Sequence, residues 1–255
     1  LHDALTTDGL FCSFDACLMG AGTEKYAASA EIERPSQDEY SALSHERAAI
    51  AQKDGLLAEE IVPVEVPQRR GDTIVVADDE GIRVGTTAET LGRLRPAFAE
   101  SGNITAGNAS QLSDGGAAVV VTTKTVADRL GVAPLAEVVG YGEVAGPDTS
   151  LLTQPSRATA VALERAGMTL SDVDLFEFNE AFAAVALASM ADLSLSDDVV
   201  NVNGGAIALG HPIGMSGTRL ALTLAHELRR RGGGVGAAAL CGGGGQGDAL
   251  LLRVL

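Results

Sequence analysis

Hydrophobic and polar positions follow two different patterns along the chain. From residue 117 onward, short apolar runs alternate with segments of helical period. Such alternation predicts a mainly parallel β-sheet with helices on its faces. The last apolar run, DALLLRVL, follows the run before it after only GGGGQG, so these two runs are expected to pair as an antiparallel hairpin. The predicted strands are AAVVVTT (117–123), LAEVVGYG (135–142), DLFEF (174–178), VVNV (199–202), GVGAAALC (234–241) and DALLLRVL (248–255). The predicted helices are TVADRLG (125–131), SRATAVALERAG (156–167), NEAFAAVALASMADL (179–193) and GTRLALTLAHELRRR (217–231).

The first 110 residues or so are less regular and are expected to form a separate layer. A helix is predicted over residues 34–55, because Ser36 and Glu39 have the spacing of a capping box and Gly55 follows the periodic stretch. The other predicted elements are strands over 60–66 and 73–79, a helix opened by Thr86 and Glu89 that ends near Pro96, and a turn-rich loop over 105–116.

Composition and charge restrict the class of protein. The 255 residues are 46% hydrophobic and 20% charged, as in a globular protein, and carry a formal net charge of −16. That charge disfavours nucleic acid and anionic membranes as partners. The longest apolar run, residues 181–191, is too short to span a bilayer, and neither a membrane span nor a signal peptide is expected from the sequence.

Three cysteines form no framework of disulfides or metal ligands in the sequence. Cys12 and Cys17 are five residues apart, which is not the spacing of a zinc knuckle, so neither zinc nor a disulfide is expected. The odd number of cysteines fits a reducing compartment, and a cytoplasmic protein is therefore expected.

Three polar side chains occupy positions where an open α/β sheet usually binds its ligand. Asn179 follows a predicted strand, His211 lies in a glycine-rich loop before a helix, and Cys241 ends a strand. An amide, an imidazole and a thiol at one sheet edge suit nucleophilic or acid–base chemistry. Each also has a purely structural interpretation: a helix cap for Asn179, a backbone-bonded loop residue for His211 and a small buried apolar residue for Cys241.

The glycine run GGGGQG (242–247) matches the dinucleotide-binding pattern G-x-G-x-x-G letter for letter. Only eight residues follow it, and they are predicted to form a strand. The dinucleotide fingerprint requires a helix and then a further strand with an acidic residue, so we exclude a dinucleotide site here.

Five stretches together resemble the thiolase family over essentially the whole chain. NEAFA (179–183), GGAIALGHPIGMSG (204–217) and CGGGGQGDA (241–249) occur in that family's order. TAGNASQLSDGGAA (105–118) resembles its coenzyme A-binding loop, and DGLFCSFDACLMG (8–20) resembles the opening of its loop domain. The resemblance implies an α/β, layered α-β-α-β-α fold. The implied division is a loop domain over 1–112, the last strand and helix of the N-terminal domain over 113–133, and the C-terminal domain over 134–255.

The resemblance also implies catalytic roles. His211 would activate a nucleophilic cysteine and donate a hydrogen bond to the thioester oxygen of the substrate, while Asn179 would hold a water in the same oxyanion hole. Cys241 would be the acid/base at the α-carbon, and the backbone N–H of Gly243 would help to form the other oxyanion hole. A thiol with a pKa near ~8.5 becomes a competent base when a positive neighbour lowers its pKa, and His211 is the candidate neighbour.

Coenzyme A thioesters are the implied substrates, with no cofactor and no metal. Ser110, Arg83, Phe182 and Met19 match positions near coenzyme A in the family, and Arg83 is a local cation for a phosphate or the adenine end. Leu18 stands where many short-chain, acetoacetyl-type members have a histidine. The length of the acyl chain is therefore left open.

No stretch matches the N-terminal nucleophilic cysteine of thiolases, since Cys12 and Cys17 lie in the loop-domain motif. The chain alone is therefore expected to lack turnover and to fold poorly as a monomer, because family members pair as dimers or tetramers through the N-terminal domain.

Two functions remain open at this stage. One is an enzyme for thiolytic cleavage of 3-ketoacyl-CoA or the reverse Claisen condensation, and the other is a protein that binds CoA esters without turnover. A decarboxylating ketoacyl synthase is disfavoured, because it shares the fold but not the CGGGGQG base.

Overall fold

Short hairpins and three helices make up the first 110 residues of the computed structural model, which describes residues 1–255. In chain order they are β1 (Phe11–Cys12), β2 (Cys17–Leu18), α1 (Met19–Ser29), α2 (Arg34–Lys53), β3 (Val64–Val66), β4 (Ile74–Val76) and α3 (Ala88–Leu91). The strands predicted over 60–66 and 73–79 form only in part, as β3 and β4, and they pair antiparallel with Val64 opposite Val76. Residues 105–116 form a loop without regular structure, as predicted.

Helix α2 starts at Arg34 as predicted, but the predicted capping box of Ser36 and Glu39 is wrong. Glu33 is the N-cap residue and Pro35 lies in the first turn. Ser36 cannot cap the helix, because its Oγ already donates to the backbone oxygen of Glu33 at 2.8 Å. Proline has no N–H to leave unpaired and therefore suits the first turn of the helix.

Helix α3 also differs from its prediction. Thr87, rather than Thr86, is the N-cap residue, and it forms a reciprocal capping pair with Thr90. The helix ends at Leu91, well before Pro96, and the chain then turns at Gly92.

The remaining elements build a four-stranded sheet between helices. They are α4 (Lys124–Leu130), β5 (Glu137–Ala145), α5 (Gln154–Ala166), β6 (Leu175–Phe178), α6 (Ala183–Asp192), α7 (Ala206–Leu209), α8 (Ser216–Arg230), β7 (Gly234–Gly242) and β8 (Gln246–Val254). The strand order is β5-β8-β7-β6. The β7–β8 hairpin is confirmed as antiparallel, with Cys241 opposite Gly247.

The expectation of a mainly parallel sheet is wrong. Only β6 and β7 run parallel, whereas β8 pairs antiparallel with both β7 and β5. The reason is the hairpin itself, because it inserts β8 between β7 and β5 and so separates the strands that would otherwise pair in parallel.

The predicted strand over 199–202 does not form. Val200 makes one isolated parallel bridge with Phe176. The next residue, Asn201, has a φ of 47°, a left-handed conformation that turns the chain away from the sheet edge. The four-stranded sheet therefore ends at β6.

The predicted strand AAVVVTT, residues 117–123, does not form either. Its valines suggested a buried strand, but Val120 and Val121 are 94% and 81% exposed. No strand of this chain lies beside the segment to pair with its backbone. The segment therefore stays exposed, although its composition predicted a buried strand.

Helices cover both faces of the sheet. One core cluster packs α5 and α6 against the sheet around Phe176, Phe178 and Leu251. A second cluster packs α8 against the other face around Leu175, Leu224 and Leu252. None of the helices is both long enough and apolar enough to span a membrane.

Candidate active site

The carboxyl ends of β6 and β7 lie at the same edge of the sheet because these two strands are parallel. Asn179 follows β6 directly, and its backbone N–H donates to the oxygen of Ala239 at 2.9 Å. Cys241 lies near the end of the adjacent strand β7. Asn179 is completely buried. The structure thus places both side chains at the predicted edge.

The His211 ring lies between two polar partners. Its Nε2 is 3.1 Å from Asn179 Nδ2, and its Nδ1 is 2.6 Å from Ser216 Oγ. The Ser216 hydroxyl donates its single hydrogen to the Pro212 oxygen at 2.9 Å, so it accepts from Nδ1–H. The neutral ring therefore carries its proton on Nδ1, and Nε2 keeps its lone pair toward Asn179.

These contacts decide two of the structural alternatives. Phe182, rather than Asn179, is the N-cap residue of α6, which begins four residues later than predicted. Both ring nitrogens of His211 form hydrogen bonds with side chains, those of Asn179 and Ser216, rather than with its own backbone. Asn179 Oδ1 is buried and has no hydrogen-bond partner, which makes it an acceptor for an incoming donor.

Burial sets the protonation of the two titratable side chains at this edge. It lowers the pKa of His211 to about 4, with a smaller contribution from the positive charge of Arg219. Burial also raises the pKa of Cys241 to about 12. The expectation that His211 is a positive partner that lowers the Cys241 pKa is therefore wrong, because both groups are neutral at pH 7.

A buried ion pair lies behind the histidine. Arg219 Nη1 is 3.2 Å from Glu177 Oε2, and both side chains are largely buried. Burial raises the pKa of Glu177, and the adjacent Arg219 opposes that rise. Arg219 Nη2 has no partner. The guanidinium therefore projects positive charge toward His211 and disfavours its protonation.

The glycine loop after β7 is packed closely by residues distant in sequence. A Cβ at Gly243 would overlap the Met19 methyl group, and a Cβ at Gly244 would lie 2.8 Å from the Phe14 ring. Gly244 also has a φ of 81°, which a residue with a side chain rarely adopts. Met19 and Gly243, both predicted site residues, are thus in contact.

Two of the predicted coenzyme A-binding residues are tied to the segment that carries Asn179. The backbone N–H of Ser110 donates to Ala181 at 3.0 Å, and Ala109 forms an isolated antiparallel bridge with Phe182. Phe182, Met19 and Cys241 all pack against one apolar cluster that includes Leu151 and Val185. For Cys241, the interpretation as a small apolar residue therefore remains compatible with the packing.

Arg83 is not brought into the same constellation. Its guanidinium is exposed and makes no hydrogen bond or ion pair, while its backbone N–H donates to His45 Nδ1 at 3.2 Å. The structure positions the main chain of Arg83 and leaves its side chain free.

Sequence reasoning missed two residues that organise the site. Ser216 fixes the His211 ring, and Glu180 is a completely buried carboxylate next to Asn179. Their only sequence signal is their position inside the NEAFA and GHPIGMSG stretches. Glu180 accepts hydrogen bonds of 2.7–3.0 Å from Tyr40, Asn201, Ser44 and the backbone of Ile207.

No group of three His, Cys, Asp or Glu side chains is arranged to hold a metal ion. The polar side chains that meet at the sheet edge are suited to proton transfer and to hydrogen bonding of a carbonyl oxygen.

Comparisons with known proteins match nearly the whole chain. The family model described as "Thiolase, N-terminal domain" matches residues 1–125, and "Thiolase, C-terminal domain" matches residues 132–254. The finer division at residues 112 and 133 stays a prediction.

Two relatives illustrate the similarity in sequence. The chain is 56% identical to a probable acetyl-CoA acetyltransferase of Mycolicibacterium smegmatis, covering 99% of this chain and 65% of that protein. It is 49% identical to an acetyl-CoA acetyltransferase of Chromobacterium violaceum, covering 99% of this chain and 64% of that protein. The chain therefore spans about 65% of the length of the curated relatives it matches.

Two solved structures share the fold. The crystal structure of the Bacillus anthracis acetyl-CoA acetyltransferase matches with a TM-score of 0.93 and 41% identity, covering 96% of this chain and 62% of that one. The human mitochondrial 3-ketoacyl-CoA thiolase matches with a TM-score of 0.91 and 37% identity, covering 100% of this chain and 64% of that one. The predicted layered α/β architecture is confirmed.

Proposed function

The chain belongs to the thiolase family, and on that basis we propose that its function is that of an acyl-CoA C-acyltransferase. The reaction is thiolytic cleavage of a 3-ketoacyl-CoA or its reverse, the Claisen condensation of acetyl-CoA to acetoacetyl-CoA. One observation carries the proposal. Hydrogen bonds that link Asn179, His211, Ser216 and Pro212 hold a neutral imidazole at the sheet edge, beside the strand that carries Cys241.

His211 is proposed to act first as a base and then as a donor. The lowered pKa keeps the ring neutral with its proton on Nδ1, and Nε2 accepts from Asn179 Nδ2 at 3.1 Å. The unprotonated Nε2 takes the proton of a thiol as the thiol attacks a thioester. The resulting Nε2–H then donates to the oxyanion of the intermediate. A preorganised donor of this kind contributes about 3 kcal/mol to transition-state stabilisation.

Cys241 is proposed to move the proton at the α-carbon. Its raised pKa keeps the thiol protonated at neutral pH. A protonated thiol is ready to give its hydrogen to the enolate carbon that leaves during thiolysis, whereas condensation first requires its deprotonation. The resting protonation state thus supports cleavage as the direction that starts without a prior proton loss.

The coenzyme A thioester is proposed to lie along the two paired segments that carry Ser110 and Phe182. Met19 and Gly243 would lie at the acyl end. Arg83 is proposed to meet a phosphate or the adenine end, which its free guanidinium supports despite the net charge of −16. Resemblance gives none of the three cysteines of this chain the role of acyl carrier, so the cysteine that forms the acyl-enzyme is not assigned to residues 1–255.

A half-reaction tests the acid/base role without acyl transfer. We expect this protein to bind acetyl-CoA in a calorimetric titration and to exchange the acetyl methyl protons with D₂O, followed by NMR. Cys241→Ala should abolish the exchange and retain binding, while Cys17→Ala is the matched control that keeps both. Unchanged exchange in Cys241→Ala would reject Cys241 as the base. Binding without any exchange in the wild type would favour the alternative function, a CoA-ester binding protein without turnover.

We also propose a reducing, cytoplasmic setting and a homodimer or homotetramer, with a role in fatty acid β-oxidation. Three free thiols support the reducing setting. The exposed valines of residues 119–121 support self-association. Sedimentation velocity of the purified protein tests the oligomeric state.

A further inference from the structure

The two cysteines near the amino terminus face each other across a hairpin. Strands β1 and β2 pair antiparallel, with Phe11 opposite Leu18 and Cys12 opposite Cys17. The spacing of five residues does not by itself predict this pairing. It arises because residues 13–16 form the turn of the hairpin. The pairing makes the two thiols immediate neighbours.

The distance between the two backbones suits a disulfide. The backbone N–H of Met19 donates to the oxygen of Leu10 at 2.8 Å, so Leu10 and Met19 form a hydrogen-bonded pair. This pair lies two residues along the ladder from Cys12 and Cys17. Pairs in an antiparallel ladder alternate, so Cys12 and Cys17 also form a hydrogen-bonded pair, with Cα atoms about 5.5 Å apart. Native disulfides span Cα distances of roughly 4.4–6.8 Å.

Both thiols also point to the same side of the hairpin. Cys12 is buried and lines a small cavity together with Met19, Gly22 and Gly244. Cys17 is half-buried, and its Sγ lies 3.7 Å from the Cβ position of that same Gly22. Directly opposite residues of an antiparallel pair share one face with Cβ atoms about 4.5–5.5 Å apart, so the two side chains project from the same side of the hairpin.

We propose that Cys12 and Cys17 are a reversible redox modification site that closes to an intramolecular disulfide. The co-reactant is a low-molecular-weight disulfide such as oxidised glutathione. The Cys17 thiolate, the more exposed one, attacks a sulfur of that disulfide and releases one small thiol. The Cys12 thiolate then attacks Cys17 Sγ and releases the second small thiol. Two protein thiols are oxidised and one small disulfide is reduced to two thiols.

The hairpin that this bond would lock is in contact with the glycine loop. Phe14, at its tip, packs on Gly244, and Met19, just after β2, packs on Gly243. Closing the bond fixes the spacing of the two strands and hence the positions of these two side chains. Oxidation is therefore expected to change the affinity for acetyl-CoA, a consequence that rests on the proposed function.

A thiol count on the folded protein tests the site directly. The reduced protein should show three thiols, and oxidised glutathione should leave one, that of Cys241. Peptide mass mapping should find Cys12 joined to Cys17, and dithiothreitol should restore all three thiols. Cys241→Ser should start with two thiols and fall to none, whereas Cys17→Ser should form no intramolecular disulfide.

Several results would overturn the proposal. One is a wild-type protein that keeps three thiols, and another is a disulfide or stable glutathione adduct that involves Cys241 instead. The acetyl-CoA titration then compares reduced and oxidised protein, with Cys17→Ser as control. An equal Kd in both states would reject the coupling to the glycine loop. Absence of acetyl-CoA binding in the reduced protein would instead count against the proposed function, while the thiol count still decides the disulfide.

Discussion

At the scale of single residues, the orientation of His211 depends on one hydroxyl group. Ser216 Oγ is the partner of Nδ1, and its own hydrogen is committed to Pro212. This arrangement selects one tautomer of the ring without any charged group in contact with it.

Replacement of Ser216 tests that selection. In the wild type, nitrogen-15 NMR should show Nδ1 protonated and Nε2 unprotonated at pH 7. Ser216→Ala should give a mixture of tautomers and cost about 1 kcal/mol of unfolding free energy, because one hydrogen-bond partner of the ring is lost. Ser113→Ala, which removes a weaker 3.3 Å bond to Gln111 in the adjoining loop, is the matched control. A wild-type ring protonated on Nε2 would contradict the assignment.

The lowered pKa of His211 has a consequence for stability. Below pH 6.5 the unfolded chain takes up a proton at this residue, whereas the folded protein does so only near pH 4. The contribution of His211 to stability should therefore fall as the pH drops from 6.5 to 4, by up to about 3 kcal/mol. Urea unfolding at several pH values measures the total dependence.

His211→Gln isolates that contribution from the other groups that titrate in this range. Burial raises the pKa values of Glu60 and Asp79, which acts in the opposite sense by stabilising the fold as the pH falls. The unfolding free energy of the wild type minus that of His211→Gln should therefore decrease or change sign as the pH falls from 6.5 to 4. A constant difference would show that the His211 pKa is not lowered.

The raised pKa of Cys241 predicts slow chemical modification. Iodoacetamide reacts with the thiolate, so Cys241 should be alkylated far more slowly than half-buried Cys17 at pH 7.5 and should accelerate as the pH rises. Time-resolved peptide mass spectrometry on the native protein measures both rates in one sample. Equal rates at pH 7.5 would indicate a thiolate-competent Cys241.

At the scale of secondary-structure elements, the Glu180 carboxylate joins three parts of the fold. It follows β6, and its two oxygens accept from Tyr40 and Ser44 on α2 and from the backbone of Ile207 on α7. Gly205 makes room for it, since a Cβ there would collide with the carboxylate. The loop that leads to His211 is thereby anchored to α2.

Replacement of this carboxylate should loosen that anchor. Glu180→Gln places an NH₂ donor among groups that are themselves donors, so we expect a loss of about 2–4 kcal/mol of unfolding free energy. Ser44→Ala, which removes one donor, should cost only about 1 kcal/mol. Urea titrations of the three proteins measure both values, and an equal loss in the two variants would argue against a shared network.

At the scale of the whole molecule, the main irregularity is an exposed apolar segment between the two halves. Residues 119–121 are valines with largely exposed side chains. Apolar surface of this kind favours association between copies of the chain.

A charge in this segment should suppress that association. Val120→Lys should lower the concentration-dependent light scattering of the protein while its melting temperature stays within about 1–2 °C, because the side chain contributes nothing to the core. Val139→Lys, at a position packed against the main core cluster, is the contrasting variant and should reduce stability. Unchanged scattering in Val120→Lys would place the association surface elsewhere.

Much of the fold was determined by local sequence. Helices α2, α5 and α8 have clear helical periods, and glycines with left-handed φ end two of the predicted helices, as at Gly131 and Gly167. The β7–β8 hairpin followed from the short glycine connection alone. For the site, the motifs gave Asn179, His211, Cys241 and Gly243, because loops of small residues with isolated polar side chains carry a strong sequence signal.

The remaining features were decided by contacts between residues far apart in the chain. Local pattern cannot tell which strand β8 will join, whether the valines of 117–123 find a neighbour, or whether Asn201 turns the chain away from the sheet. Protonation likewise depends on burial, which is why His211 and Cys241 are neutral rather than an ion pair. The pairing of Cys12 with Cys17 and the Glu180 network belong to the same class, since register and hydrogen-bond partners are set only when the elements pack together.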